Sequence, residues 1–313
     1  MTPSPDGVFT HLAELIELRQ RVREVPLFST PQRRSLLVGL HHSRLRGRGV
    51  DFDQVRVYQP GDDVRHIDWR VTARTREPHT KLFHEERERP IYILVEQSQR
   101  LFFGSQHQFK SVLAAQAAAL IGWAALEHND RIGGLVFGDN RYQEVRPRRS
   151  KQSLLQLLER LASTNQQLGS APPEAGHQAE SLGLALRRAR EVLRPGSLAV
   201  ILCDERALSE SVEQQLWLLG RHIDLLLLPL SDPLDHALPA AGLLRFTEKQ
   251  AYLTLNTHDR HLRHSYRKHA EVRQQRWEQL ARRLGIPNLP LSTQRDAIGQ
   301  LHDHLTQAPG ATH

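Results

Sequence analysis

Glu96 and Asp204 are the residues whose placement first points to chemistry. Each follows a short apolar run, at 91–95 and at 198–202. A carboxylate just beyond the carboxyl end of a buried strand stands where open α/β sheets bind their ligands. Two such groups can hold a hard cation, pair with an arginine, or move a proton. Cys203 directly precedes Asp204. A catalytic thiol needs a histidine neighbour and an electropositive pocket, and no spacing supplies that histidine, so a buried core cysteine is expected. His258, His261 and His264 recur every three residues, with His269 beyond; solvated side chains are expected there rather than a metal site. His41 and His42, as strand neighbours, point to opposite faces. The sequence has no Gly-x-x-x-x-Gly-Lys-Ser/Thr loop, so the chain is not itself a P-loop ATPase. Gly133-Gly134 falls inside an apolar run, not in a strand-to-helix turn, and is no dinucleotide fingerprint. A hydrolase using Glu96, Asp204 and a histidine is the remaining catalytic option, and it lacks a complete constellation.

The elements that must position these groups are marked along the chain. Runs at 91–95, 132–137, 198–202 and 225–230 are short and apolar throughout, as in strands buried on both faces of a parallel sheet. Between them lie helical segments: an alanine-rich one at 107–127, one marked by Leu154, Leu155, Leu158 and Leu161, and others at 181–193 and 209–219. Alternation of this kind predicts an α/β fold with a doubly wound, mostly parallel sheet. Val8, Leu12, Leu15 and Val22 predict an amphipathic helix over 8–24, stopped by Pro26. Residues 35–58 predict two strands about the Arg46-Gly47-Arg48-Gly49 turn. Residues 164–180 read as a polar, mobile loop. A long helix is expected over 257–284, with Thr257 as N-cap and Gly285 and Pro287 as the stop. Its apolar seam is Leu262, Tyr266, Ala270, Trp277, Leu280 and Leu284, and its arginines should face water. A last helix follows over about 293–306. The expected divisions are an N-terminal helix and β extension at 1–89, an α/β domain at 90–256, and C-terminal helices at 257–313 packing on it.

The chain has 313 residues, 39% hydrophobic and 25% charged, enough apolar material for a full core. A single cysteine excludes an internal disulfide and fits a reducing compartment. No basic, apolar leader opens the chain and no apolar run is long enough to span a bilayer, so the expectation is a cytoplasmic protein with no membrane span. The formal net charge of +7 permits binding to nucleic acid without establishing it. Residues 257–284 hold eight Arg/Lys against three Asp/Glu and so carry much of the excess, whereas residues 41–90 are near balance at eleven against nine. Balance favours internal pairing there, with Trp69 packed rather than exposed; a partner-binding surface is the alternative.

The stretch from Arg46-Gly47-Arg48-Gly49 through Asp51-Phe52, then Val55-Arg56-Val57-Tyr58-Gln59-Pro60-Gly61-Asp62-Asp63-Val64-Arg65-His66-Ile67-Asp68-Trp69-Arg70 and Ala73-Arg74, resembles the signature of the domain of unknown function 58 family. Lys81-Leu82-Phe83, Glu85-Glu86-Arg87, Phe103-Gly104, Lys110, Asp130-Arg131-Ile132-Gly133, Asp232-Pro233 and Leu291-Ser292-Thr293 continue the likeness, which covers about residues 10–305. The resemblance implies a bacterial-type protein with a von Willebrand factor A-like domain, working beside a MoxR-type AAA+ ATPase. Arg56, Tyr58, Gly61, Asp62, Asp63, Arg65, Asp68, Trp69 and Arg74 are then expected to form a hydrogen-bonded clasp.

A von Willebrand factor A-like domain further implies a magnesium ion held by Asp-x-Ser-x-Ser at the first strand end, a Thr from a later loop and an Asp from a further strand. This sequence departs from that pattern. Glu96 replaces the first Asp, Ser98 is kept, Arg100 replaces the second Ser, Glu180 falls at the Thr (Ser181 being the alternative), and Asp204 is kept. A fixed guanidinium beside a dication is repulsive, and Arg cannot shed its proton. The expectation is therefore a degenerate site with no cofactor, in which Arg100 neutralises Glu96, Glu180 and Asp204 through a forked ion pair. Magnesium on Glu96, Ser98 and Asp204, or an ordinary polar sheet edge, are the other readings. Function is expected to be that of a non-enzymatic interaction or adaptor module, with nucleic-acid binding through the basic helix 257–284 as the alternative.

Overall fold

The computed structural model describes residues 7–24, 51–59, 62–84, 89–139, 141–170, 180–248 and 251–306. Two compact units emerge: Ser43–Glu88, and the remainder of the chain. The smaller unit pairs β1 (Asp51–Val57) antiparallel with β2 (His79–His84). Its helix, α2, is Trp69–Thr75; α1, Leu12–Glu17, precedes it in the chain and belongs to the larger unit.

The larger unit continues with β3 (Pro90–Glu96), α3 (Lys110–Glu127), β4 (Arg131–Phe137), β5 (Tyr142–Arg148), α4 (Lys151–Leu168), α5 (Ser181–Val192) and β6 (Leu198–Asp204). There follow α6 (Glu210–Gly220), β7 (Asp224–Ser231), the short α7 (Pro233–His236), the ribbon β8 (Leu243–Glu248) and β9 (Ala251–Asn256), α8 (Arg260–Leu284), β10 (Leu291–Ser292) and α9 (Ala297–Thr306). Six strands form one sheet in the order β10-β7-β6-β3-β4-β5. All neighbours run parallel except β5, which is antiparallel to β4. This is the doubly wound, mostly parallel α/β architecture that the alternation predicts.

Every residue of β6, and all but the first of β3, is buried, which explains why these strands read as unbroken apolar runs. One sheet face packs on α1, α3, α4 and α9, the other on α5, α6 and the C-terminal half of α8. Helix α3 is buried on nearly all sides from Lys110 to Ala125, so its alanines let it lie close between the sheet and its neighbouring helices. Gly133 sits at a register shift in the β4–β5 pairing, where a Cβ would come 2.5 Å from the Val145 carbonyl oxygen.

Several boundaries differ from the sequence-based expectation. The first helix tightens into a 3-10 helix over Leu18–Glu24. It belongs with the α/β unit rather than with the β extension, because Leu15 is buried in the core and its carbonyl accepts from Trp123 Nε1 at 2.9 Å. Helix α4 runs to Leu168, into the segment expected to be loop; residues 171–179 of that segment, and residues 25–50 with the first expected strand, lie outside the described residues. Asp259 rather than Thr257 caps α8, accepting from the His261 and Leu262 amides, because a carboxylate satisfies two orphan donors at once. Gly285 ends that helix in the left-handed region, as expected. Ala270, Trp277 and Leu280 are buried along the seam, with Leu262, Tyr266 and Leu284 half-buried. β5, β10 and the β8–β9 ribbon were not anticipated: β10 is two residues long, and β5 carries mostly polar residues at a sheet edge.

In the smaller unit the signature aspartates act locally. Asp62 accepts from Arg56 at 2.7 Å and from the Gln59 amide at 2.9 Å; the amide bond first, and then the guanidinium, hold its carboxyl below the usual range. Asp63 caps a 3-10 turn at Val64–His66, and Asp68 caps α2 by accepting from the Arg70 and Val71 amides. The Tyr58 amide donates to the Pro78 carbonyl, Arg65 and Arg74 are exposed, and Gly61 lies outside the described residues. Trp69 corrects the expectation of a packed ring. It is the first residue of α2 and is 70% exposed; a helix of under two turns buries little of its surface. Trp277→Ala should therefore lower stability by about 3–5 kcal/mol, whereas Trp69→Ala should stay within about 0.5 kcal/mol. Urea midpoints of the two variants check the contrast.

Candidate functional site

β3 lies between β4 and β6, so the chain reverses its winding direction at β3. The crevice beyond the carboxyl ends of β3 and β6 is the topological switch point of the sheet. Glu96 ends β3 and Asp204 ends β6, and both are buried. Glu96 Oε1 accepts from Ser98 Oγ at 2.6 Å, and Oε2 accepts from the Asp204 amide at 2.9 Å. Asp204 Oδ2 accepts from Lys110 Nζ at 2.6 Å. Its Oδ1 accepts from the Arg206 amide at 2.8 Å and from Arg206 Nε at 2.9 Å. Lys110 Nζ donates a second bond, at 2.8 Å, to Asp235 Oδ2. The Lys110 side chain is 0% exposed.

Local sequence explains how these side chains arrive. Lys110 is the first residue of α3, placed at the bottom of the crevice by the loop that leaves β3. Asp204 serves as N-cap of the turn Glu205–Ala207, which turns its carboxylate back over the strand end. Asp232 and Asp235 form a capping box on α7, with Pro233 at its first position, so the Asp235 carboxylate is held inward, where it also accepts from the Asp232 amide at 2.9 Å. Asp232 itself accepts from Ser105 Oγ at 2.6 Å and from Thr293 Oγ1 at 2.5 Å, joining the loop after β3 to the end of β10. Helix α8 crosses these loops. Trp277 Nε1 donates to the Glu205 carbonyl at 2.8 Å, Arg273 to the Asp235 carbonyl at 2.6 Å, and Tyr266 Oη to the Leu234 carbonyl at 2.7 Å.

Electrostatics follow from this arrangement. Burial alone would raise Asp204, but Lys110 and Arg206 outweigh it and hold the carboxyl below the usual range. Glu96 goes the other way: burial, and then the Asp204 charge, push it up, although Arg100, Ser98 and the Asp204 amide partly oppose them. Burial, with Glu96 and Asp204 beside it, also pushes the Cys203 thiol well up. That favours the inert thiol, so Cys203 is a core residue and not a poised nucleophile.

Among the residues singled out in the sequence, Glu96, Ser98 and Asp204 come together. Arg100 does not play the expected part: the cations bonded to Asp204 are Lys110 and Arg206. Half-buried Arg100 acts on Glu96 through its charge and lends its carbonyl to Arg206. Glu180 stands exposed at the N-cap of α5 and is not among the groups acting on Glu96 or Asp204; its charge is felt at Tyr142. His258, His261, His264 and His269 are all exposed. Lys110, Arg206, Asp232 and Asp235 were not anticipated as site residues. A lysine opening an alanine-rich helix was the available signal for Lys110, and Asp232-Pro233-Leu234-Asp235 was the signal for a capping box.

The von Willebrand factor A-like resemblance implies a divalent ion at this crevice, and the residues present do not fit one. Lys110 and Arg206 already bond both oxygens of the Asp204 carboxylate. Both Glu96 oxygens already accept hydrogen bonds. A dication would also face two fixed cations within a few ångströms. Among the described residues no group of three His, Cys, Asp or Glu side chains is arranged to hold a metal ion.

Asp204→Asn should cost about 3–5 kcal/mol near neutral pH, because it removes one of the two carboxylates bonded to buried Lys110 and leaves Asp235 to balance both Lys110 and Arg206. Asp204 is depressed, so its stabilisation is present above the ordinary aspartate range and is lost on acidification through the lowered folded value; the cost of the variant should shrink in acid. Glu96 is raised, so its contribution is full below the ordinary glutamate range and is lost as pH rises through the folded value. Glu96→Gln should therefore gain on the wild type as pH rises. Denaturant titrations from acid to neutral pH test both signs; a Glu96→Gln protein that loses ground with rising pH would contradict the assignment.

Residues 54–276 match the sequence model described as "Protein of unknown function DUF58". Uncharacterized protein Mb1516 of Mycobacterium bovis is 30% identical over 267 residues, which is 85% of this chain and 82% of that protein. Uncharacterized protein Rv1480 of Mycobacterium tuberculosis matches to the same extent, 30% over 267 residues. Among solved structures, the conserved hypothetical protein BatB from Bacteroides thetaiotaomicron aligns over 69% of this chain and 97% of its own, at 12% identity and a TM-score of 0.39. An aerotolerance-related membrane protein from Bacteroides fragilis aligns over 69% of this chain and 96% of its own, at 15% identity and a TM-score of 0.42. The family match spans most of the chain and the mycobacterial relatives extend along it, and on these grounds this chain belongs to the DUF58 family.

Proposed function

We propose that this protein is a non-enzymatic interaction module that acts with a MoxR-type AAA+ ATPase, and that it meets its partner at the carboxyl-end face of the sheet. The observation that carries the reading is the saturation of the crevice. Asp204 and Asp235 are committed to Lys110, and Asp204 also to Arg206, while Glu96 is committed to Ser98 and to backbone. General acid–base chemistry needs a group within reach of substrate and free to exchange a proton; these carboxylates are buried and held by one another's counter-charges. Arg206 and Arg100 are the cluster members that reach solvent, with 41% of the Arg206 side chain exposed. A rigid floor whose exposed rim carries guanidinium groups suits recognition of an acidic protein surface. The ATPase is named on the family resemblance.

The nucleic-acid alternative draws less support from α8. Arg273 faces Glu205, and Arg276 and Arg283 both bond Glu213, so part of the basic charge is paired within the molecule. No helix among the described residues is long and apolar enough to cross a membrane.

Sedimentation velocity of the purified protein with a MoxR-type AAA+ ATPase from the same genome tests the proposal. A complex is expected, and Arg206→Ala should weaken it by about tenfold, mainly through a faster off-rate or a slower encounter. Absence of association with and without nucleotide would sink it. Duplex DNA binding whose affinity falls steeply with salt would favour the alternative instead.

A further inference from the structure

The disagreement between the crevice and the ion its fold implies has a specific cause, and that cause is Lys110. We propose that the Lys110 ammonium is a tethered cation standing in the place of a divalent ion, so that the protein carries the charge of this site in its own chain and takes no metal there. The proposal stands apart from the interaction reading, since it concerns the floor of the crevice whatever docks above it.

Three observations carry it. The first is position: Nζ lies 2.6 Å from Asp204 Oδ2 and 2.8 Å from Asp235 Oδ2; Asp204 ends β6, and Asp235 sits in the short α7 that follows the adjacent parallel strand β7. A cation joining oxygens of separate strand-end loops is what an ion would otherwise do. The second is depth: the Lys110 side chain and the Asp204 carboxylate are both fully buried. A lysine seeking only solubility would extend its stem to the surface. The third is charge count. Lys110 and Arg206 face Asp204 and Asp235, two cations against two carboxylates. The third carboxyl, Glu96, accepts hydrogen bonds from a hydroxyl and an amide, with no cation bonded to it in this set. An added dication would leave the cluster with excess positive charge.

The chain has five lysines, Lys81, Lys110, Lys151, Lys249 and Lys268, few enough to follow individually. Reductive methylation of the folded protein, read by peptide mass spectrometry, should modify exposed Lys151 and Lys268 promptly and Lys110 roughly a hundredfold more slowly or not at all, since reaction needs local opening. Mn²⁺ titration followed by electron paramagnetic resonance should show no saturable binding by the wild type at millimolar ion. The melting temperature of the wild type should not respond to EDTA or Mg²⁺. Lys110→Ser, which empties the position, should melt lower in EDTA than in Mn²⁺ and should bind Mn²⁺ saturably. Saturable Mn²⁺ binding by the wild type that is lost in Asp204→Asn would overturn the proposal. So would methylation of Lys110 as fast as of Lys151, or a folded Lys110→Ser protein indifferent to Mn²⁺. If that variant does not fold, the methylation and wild-type titration still decide the matter.

Discussion

A buried ammonium shared by two carboxylates is the interaction on which the functional end of this sheet depends. Lys110 Nζ joins the start of α3 to the end of β6 and to the turn after β7. Removing a charge of this size from water costs several kcal/mol even after relaxation, so the ammonium is tolerated only because its counter-charges are already in position. The same requirement works in reverse: Asp204 would be raised by burial were Lys110 and Arg206 not beside it. Glu96, lacking such a bonded partner, is pushed toward its neutral form. The cationic pair therefore holds Asp204 ionised, while Glu96, bonded to a hydroxyl and an amide, is pushed the other way by burial and by the Asp204 charge.

This constraint spreads outward through hydrogen bonds that would otherwise look unrelated. Asp235 can face Lys110 because the capping box with Asp232 fixes α7, and Asp232 is in turn held by Ser105 and Thr293. Helix α8 closes over the same loops with Tyr266, Arg273 and Trp277, each donating to a loop carbonyl. Buried carbonyls need donors, and supplying them from one long helix ties two strand-end loops to the C-terminal part of the chain. The β6 and β7 ends thus form a rigid floor.

Much of the fold was legible in the sequence because its signals are local and redundant. Apolar runs at β3, β4, β6 and β7, with helical spacing between them, specify a parallel sheet without knowledge of any contact. Elements that obey weaker rules escaped. β5 is an edge strand of mixed polarity, β10 has two residues, and the β8–β9 ribbon forms a separate two-stranded pair. The crevice was half legible. Strand ends locate Glu96 and Asp204, but pairing is a three-dimensional fact: the Asp-x-Ser-x-Ser pattern points to Arg100, at the place of its second Ser, whereas the bonded cation Lys110 lies ten residues further on. Trp69 failed for a related reason: balanced charge around it says that neighbours can pair, and nothing about whether a short helix has a surface to pack on.

The polarity of α3 shows which level of organisation prevails. Lysine at the first position and Glu127 at the last both oppose the helix dipole, which favours acidic residues at the N-terminus and basic ones at the C-terminus by about 0.3–1 kcal/mol each. A helix chosen for its own stability would carry the reverse arrangement. At its N-terminus the two charge-assisted bonds from Lys110 to Asp204 and Asp235 are each worth more than the dipole term. Helix α3 accordingly keeps an unfavourable first residue because the strand-end carboxylates require a cation at that depth, and the N-terminus of a helix starting beside the switch point is where the chain can deliver one.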